Sequence, residues 1–118
     1  MIIFLNILAI HWVADFLLQT HWVASNKSKN PTVLALHVGL YTIVLGCACG
    51  LLLGAWGLTY AGVNGFLHWG TDYFTSRWSA RLWAKQDWHN FFVVIGLDQL
   101  IHQVTLGGTM LLIFGGGA

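Results

Sequence analysis

Three of the four acidic residues in the chain stand four positions from a histidine: His11 with Asp15, His68 with Asp72, and Asp98 with His102. Four residues is about one helical turn, so each pair shares a helix face. All three pairs lie in apolar stretches, and an ionised carboxylate inside a bilayer costs at least about 2.5–3.5 kcal/mol. Such groups must turn away from lipid and find partners. Imidazole and carboxylate together are the donors that divalent cations take. With His37 the set exceeds what one tetrahedral zinc needs and suffices for two ions with positions left for water or substrate.

The chemistry expected is therefore that of a divalent metal, zinc first, as one or two ions. Such an ion lowers the pKa of water toward neutrality, and a carboxylate or imidazole nearby takes the proton. The expected ligands are His11, Asp15, His37, His68, Asp72, Asp98 and His102, with His37, Asp15 and Asp72 also placed for catalytic roles. Gln19, Asn64, Gln99 and Gln103 are the amides expected to orient the imidazoles by hydrogen bonding. Covalent catalysis lacks a nucleophile on these stripes. A di-iron carboxylate bundle favours glutamate, and the chain has none. Two other readings use the same residues: a proton relay, and a set of hydrogen bonds that only pins helices together.

The elements that must carry these groups follow from composition. Hydrophobic residues make up 57% of the 118 and charged residues 8%, against about 25% charged in ordinary soluble domains. A soluble globule, a disordered chain and a disulfide scaffold are all excluded. The formal net charge of +1 excludes nucleic acid as a partner. The first apolar run is not a cleaved signal peptide, because it lacks a basic leader and is interrupted by His11, Asp15 and Gln19.

At about 20 apolar residues per span, four helices nearly exhaust the chain. The pattern predicts an all-α, polytopic membrane four-helix bundle with helices over about 2–25, 31–53, 58–80 and 88–114, and a frayed tail at 115–118. Asn30 followed by Pro31 starts the second helix, and Asp87 caps the fourth. The turn between the second and third is expected at 54–57, and glycines 39, 46, 50 and 54 are expected to let helices approach closely. His21 and His89 read as solvated, and Cys47 and Cys49 as packing residues.

All five basic residues fall in two loops, Lys27 and Lys29 in one and Arg77, Arg81 and Lys85 in the other. The positive-inside rule places both loops in the cytoplasm and both termini outside. Trp22, Trp78, Trp83 and Trp88 form the cytoplasmic aromatic belt, with Trp56 and Tyr60 opposite. Lys27 and Arg77 are expected to grip a lipid headgroup phosphate. Counted from the cytoplasmic ends, Asp15 and Asp98 lie about 15 Å deep, Asp72 about 12 Å and His37 about 9 Å, with the paired histidines a turn deeper. The shared pattern His-Trp-x-x-Asp-aromatic at 11–16 and 68–73 hints at a duplicated helical hairpin.

His11-x-x-x-Asp15-Phe16-x-x-Gln19, Lys27, His37, His68-x-x-x-Asp72-Tyr73 and Asp98-Gln99-x-x-His102 together resemble the small membrane proteins of the domain-of-unknown-function 3307 family, found in bacteria and their phages. The resemblance spans nearly the whole chain and implies a multi-pass protein of the bacterial inner membrane. A looser similarity links the set to membrane-embedded metal-dependent hydrolases.

The leading expectation is a metal-dependent hydrolase acting on a lipid or lipid-linked substrate. A proton- or metal-conducting unit, as a homo-oligomer, is the alternative. A third reading is an accessory subunit of a larger membrane assembly, in which the polar core only fixes the fold.

Overall fold

The computed structural model describes residues 1–115; the expected fraying of 116–118 lies outside them. The described residues form α-helices and no strands: α1 (Ile2–Trp12), α2 (His21–Asn26), α3 (Pro31–Leu53), α4 (Ala55–Ala84) and α5 (Trp88–Phe114), with a π-helical turn at Val13–Leu17 closing α1. The bundle measures 49 × 25 × 20 Å. α4 is its centre, packed along α3 on one side and α5 on the other, while α1 rests mainly on α3.

The second and fourth helices have the expected bounds. The side chain of Asn30 accepts from Thr32 N at 2.9 Å ahead of Pro31, and Asp87 accepts from Asn90 N at 3.3 Å. These caps satisfy amides that a helix start leaves unpaired.

The first helix departs from expectation. Instead of running through 25 it widens at Asp15, where Leu18 N bonds to Val13 O at 3.0 Å, and then breaks. Thr20 is extended, with φ −69° and ψ 159°, and its side chain caps α2 by accepting from Val23 N. A threonine that caps a new turn competes with helix continuation.

The third helix is longer than expected at both ends: it continues past 80 to Ala84, and the turn before it contracts from 54–57 to Gly54 alone, whose φ of 71° suits glycine. The close approaches between α3 and α4 fall on Gly57, where a Cβ would run into the Cys49 carbonyl, and Gly65, where it would meet the Thr42 side chain. Gly46 and Gly50 face Ala61 and Leu58 at ordinary to tight spacing, whereas Gly39 faces open space.

Burial departs from that of a soluble protein, in which charged side chains are seldom fully buried. The inside holds His11, Asp15, His37, Asn64, His68, Asp72, Asp98 and His102 beside an apolar cluster around Ile7, Tyr41, Leu45, Tyr60 and Leu106. Outside, Leu51, Leu112 and Phe66 are 90%, 84% and 72% exposed, and Trp22, Trp56, Trp78, Trp83 and Trp88 are exposed as well. Tyr60 leaves the expected outer belt: it is fully buried, and its hydroxyl donates to Leu106 O at 2.9 Å. α3 and α5 are long and apolar enough to cross a membrane. Ile2–Leu17 is apolar but shorter, and α4, at 30 residues, is long but carries a polar stripe from Asn64 to Ser79.

Candidate metal centre

The functional side chains come from four segments and meet inside the bundle. Asp15 comes from the widened turn after α1, His37 from α3, His68 and Asp72 from α4, and Asp98 and His102 from α5; all are buried. The sequence pairs do not form their shortest contacts within a helix. His11 Nε2 is 3.8 Å from Asp15, while His37 Nε2 reaches Asp15 Oδ1 at 3.1 Å across helices. The imidazoles and carboxylates therefore interleave in one cluster, where the depth count had set them a helical turn apart.

At its heart, His37 Nε2, His68 Nε2, Asp15 Oδ1 and Asp72 Oδ2 converge. His37 lies 3.1 Å from Asp15 and 3.3 Å from Asp72, His68 lies 3.3 and 3.5 Å from the same oxygens, and the two nitrogens are 3.3 Å apart. A single ring N–H cannot serve every contact in this pattern. One ring N–H points along one direction, whereas each nitrogen here has three neighbours at 3.1–3.5 Å. A tetrahedron of ligands about 2.0–2.1 Å from an ion has edges of about 3.3–3.4 Å, and the separations of the two nitrogens from each other and from both oxygens, 3.1–3.5 Å, lie close to that. These residues could hold a metal ion.

Around this set, His102 Nε2 lies 3.2 Å from Asp72 Oδ1 and 3.3 Å from Asp98 Oδ2. Gln99 Nε2 donates to Asp15 Oδ2 and Asp98 Oδ2, each at 3.0 Å, and Gln99 Oε1 lies 3.1 Å from His11 Nε2. His11 thus stands beside the convergent donors, held by Gln99 and by the Tyr41 hydroxyl, 2.8 Å from its Nδ1. Lys27, expected at a headgroup, instead donates to Asp72 Oδ2 at 2.9 Å. Arg77 lies over the Tyr73 ring at 3.7 Å and donates to Tyr73 O.

The other amides sit apart from the cluster. Asn64 donates to Tyr60 O and Thr109 Oγ1; the buried Gln19 Oε1 has no partner; and Gln103 is exposed. His21, His89 and Cys47 are exposed too, and Cys49 is a buried free thiol.

Sequence reasoning missed two members. Tyr41 stacks on His68 with ring centroids 4.0 Å apart and planes 9° from parallel. Thr75 donates to Asp98 Oδ1 at 2.5 Å. Both were within reach of the helical-spacing argument, since Tyr41 follows His37 by one turn and Thr75 follows His68 by two.

The sequence profile of the DUF3307 family, described as proteins of unknown function, matches residues 3–114. The chain belongs to the DUF3307 family. Neither the curated proteins nor the solved structures yield a match. The DUF3307 description names no reaction, so the chemistry of the site rests on its donors and their geometry.

Proposed function

We propose that the chain is a metal-dependent hydrolase embedded in the bacterial inner membrane, acting on a lipid or lipid-linked substrate through a zinc ion held by Asp15, His37, His68 and Asp72. The observation that carries this reading is the convergence of those four donors, with the two nitrogens 3.1–3.5 Å from each other and from both oxygens. In this reading α1, α3, α4 and α5 cross the bilayer, α2 lies along its cytoplasmic face, and both termini are outside. The exposed apolar surface supports it, as does the grouping of the basic residues just after α2 (Lys27, Lys29) and over the end of α4 (Arg77, Arg81, Lys85).

When bound, a divalent ion supplies a Lewis acid that makes water acidic enough to ionise near neutral pH. A catalytic zinc keeps one position for water, whereas a structural one is closed by four protein ligands. Of the four residues that would hold the ion, Asp72 is the one suited to leave a position open. Its Oδ2 is also held by Lys27 at 2.9 Å and its Oδ1 faces His102 at 3.2 Å, so the carboxylate has partners when it swings aside to accept a proton. His37, His68 and Asp15 would still hold the ion.

Metal analysis by plasma mass spectrometry tests the reading, on protein purified in mild detergent without chelator beside the Asp72→Ala variant. Bound zinc in the parent that is diminished in a folded variant supports it, and release of product from labelled lipid then identifies the substrate. Absence of metal in both proteins, even after reconstitution, overturns it.

A further inference from the structure

Asp15 and Asp72 each spend one oxygen on the convergent set, and each has a second oxygen turned toward α5. Asp15 Oδ2 accepts from Gln99, and Asp72 Oδ1 lies 3.2 Å from His102 Nε2. Asp98 Oδ2 completes the arc, 3.3 Å from His102 Nε2 and 3.0 Å from Gln99 Nε2. Donor atoms of Asp15, Asp98 and His102 lie within 4.8 Å of one another, and all three residues are buried. The Gln99 amide bridges Asp15 Oδ2 and Asp98 Oδ2; being neutral, it donates hydrogen bonds but cannot balance their charge.

We infer that this second group is a separate cation site, in which Asp98, His102, Asp15 Oδ2 and Asp72 Oδ1 take a second divalent ion, with the Gln99 amide swinging out of its place. The inference rests on the metal reading above. Asp15 and Asp72 would each bridge the two ions, an arrangement suited to clamping the attacking and leaving oxygens of a displacement. Asp72 can keep Oδ1 on this side while Oδ2 gives way to water.

The charges set the order of filling. One divalent ion and Lys27 balance the three buried carboxylates, whereas a second ion leaves two positive charges in excess. The first ion is therefore held tightly and the second weakly, until hydroxide or an anionic substrate offsets that excess.

Zinc titration of the metal-stripped protein, read by equilibrium dialysis and metal analysis, tests the inference. The expected result is one equivalent retained on dialysis into zinc-free buffer and a second taken up from excess zinc. Asp98→Asn and His102→Gln should drop the total from two equivalents to one and keep the tight one. A parent that saturates at one equivalent, or two equivalents untouched by both substitutions, overturns the second site and leaves the proposed function standing. No zinc uptake at all overturns both. Should either variant fail to fold, manganese(II) loaded to two equivalents in the parent decides through its electron paramagnetic resonance. An exchange-coupled pair signal is expected, and isolated-ion spectra overturn the inference.

Discussion

Lys27 Nζ lies 2.9 Å from Asp72 Oδ2, and the lysine side chain is only 15% exposed. The loop after α2 thus places its ammonium on an oxygen that also belongs to the convergent donor set. The lysine and a bound metal ion would compete for the same carboxylate, and two consequences of opposite sign follow. Lys27→Met should leave the metal-free protein less stable, by up to about 3 kcal/mol, because a buried carboxylate loses its cation. The same substitution should tighten zinc binding by roughly tenfold or more, because a positive charge no longer opposes the ion. Thermal unfolding with and without chelator, paired with a competition titration, reads both. Weaker zinc binding in Lys27→Met would show that the lysine supports the ion.

Tyr41 joins the cluster through its hydroxyl, 2.8 Å from His11 Nδ1, and through its ring, stacked on His68. Tyr41→Phe removes the first contact and keeps the second. The expected loss is about 1 kcal/mol of stability with zinc content unchanged, since His68 keeps its packing. Tyr41→Ala removes both, so zinc content should fall as His68 loses its orientation. Equal zinc in the two variants would mean that the stack does not position the imidazole.

What the sequence made legible and what it hid divide along one physical line. Helix existence and the clustering of His and Asp followed from spacing, because buried charge in apolar helices has few places to go. Asn30, Pro31 and Asp87 marked their helix ends by local capping. The break at 18–20 was hidden, since Thr20 lies between apolar stretches and caps only once α2 turns away. Contacts that depend on helix rotation were likewise out of reach. Nothing in the spacing tells that Gln99 faces three site residues while Gln103, one turn on, faces outward. Nor does it tell that Lys27 folds back onto Asp72.

The turn between α4 and α5 carries a correctable strain. Asp87 N bonds to Leu82 O and Gln86 N to Trp83 O, each at 3.0 Å, a helix-ending pattern that needs a left-handed residue. That residue is Gln86, with φ 58°, where glycine is the usual occupant. Gln86→Gly should raise stability by up to about 1 kcal/mol, the relief of a side chain in the left-handed region less the entropy glycine adds to the unfolded chain. Denaturant titration in mixed micelles measures it, with zinc content as the control that the site is untouched. A loss of stability would mean that the glutamine contributes more through its surroundings than its backbone conformation costs.

Gly57 and Gly65 hold the hairpin that brings His37 to His68. A Cβ at position 57 would collide with the backbone carbonyl of Cys49, which cannot rotate away, so α3 and α4 would have to separate. Position 65 is more forgiving, because the obstruction is the Thr42 side chain, which can move if it gives up its bond to Val38 O. Gly57→Ala should therefore cost about 1–3 kcal/mol, the usual range for overpacking, and Gly65→Ala less. Gly62→Ala on the same helix faces open space and should be neutral or slightly stabilising. Separation of α3 from α4 also moves His37 Nε2 away from His68 Nε2, now 3.3 Å apart. Gly57→Ala should thus lose zinc as well as stability, while Gly62→Ala keeps both. Full zinc occupancy in a destabilised Gly57→Ala protein would show that the four donors converge without close packing of this hairpin.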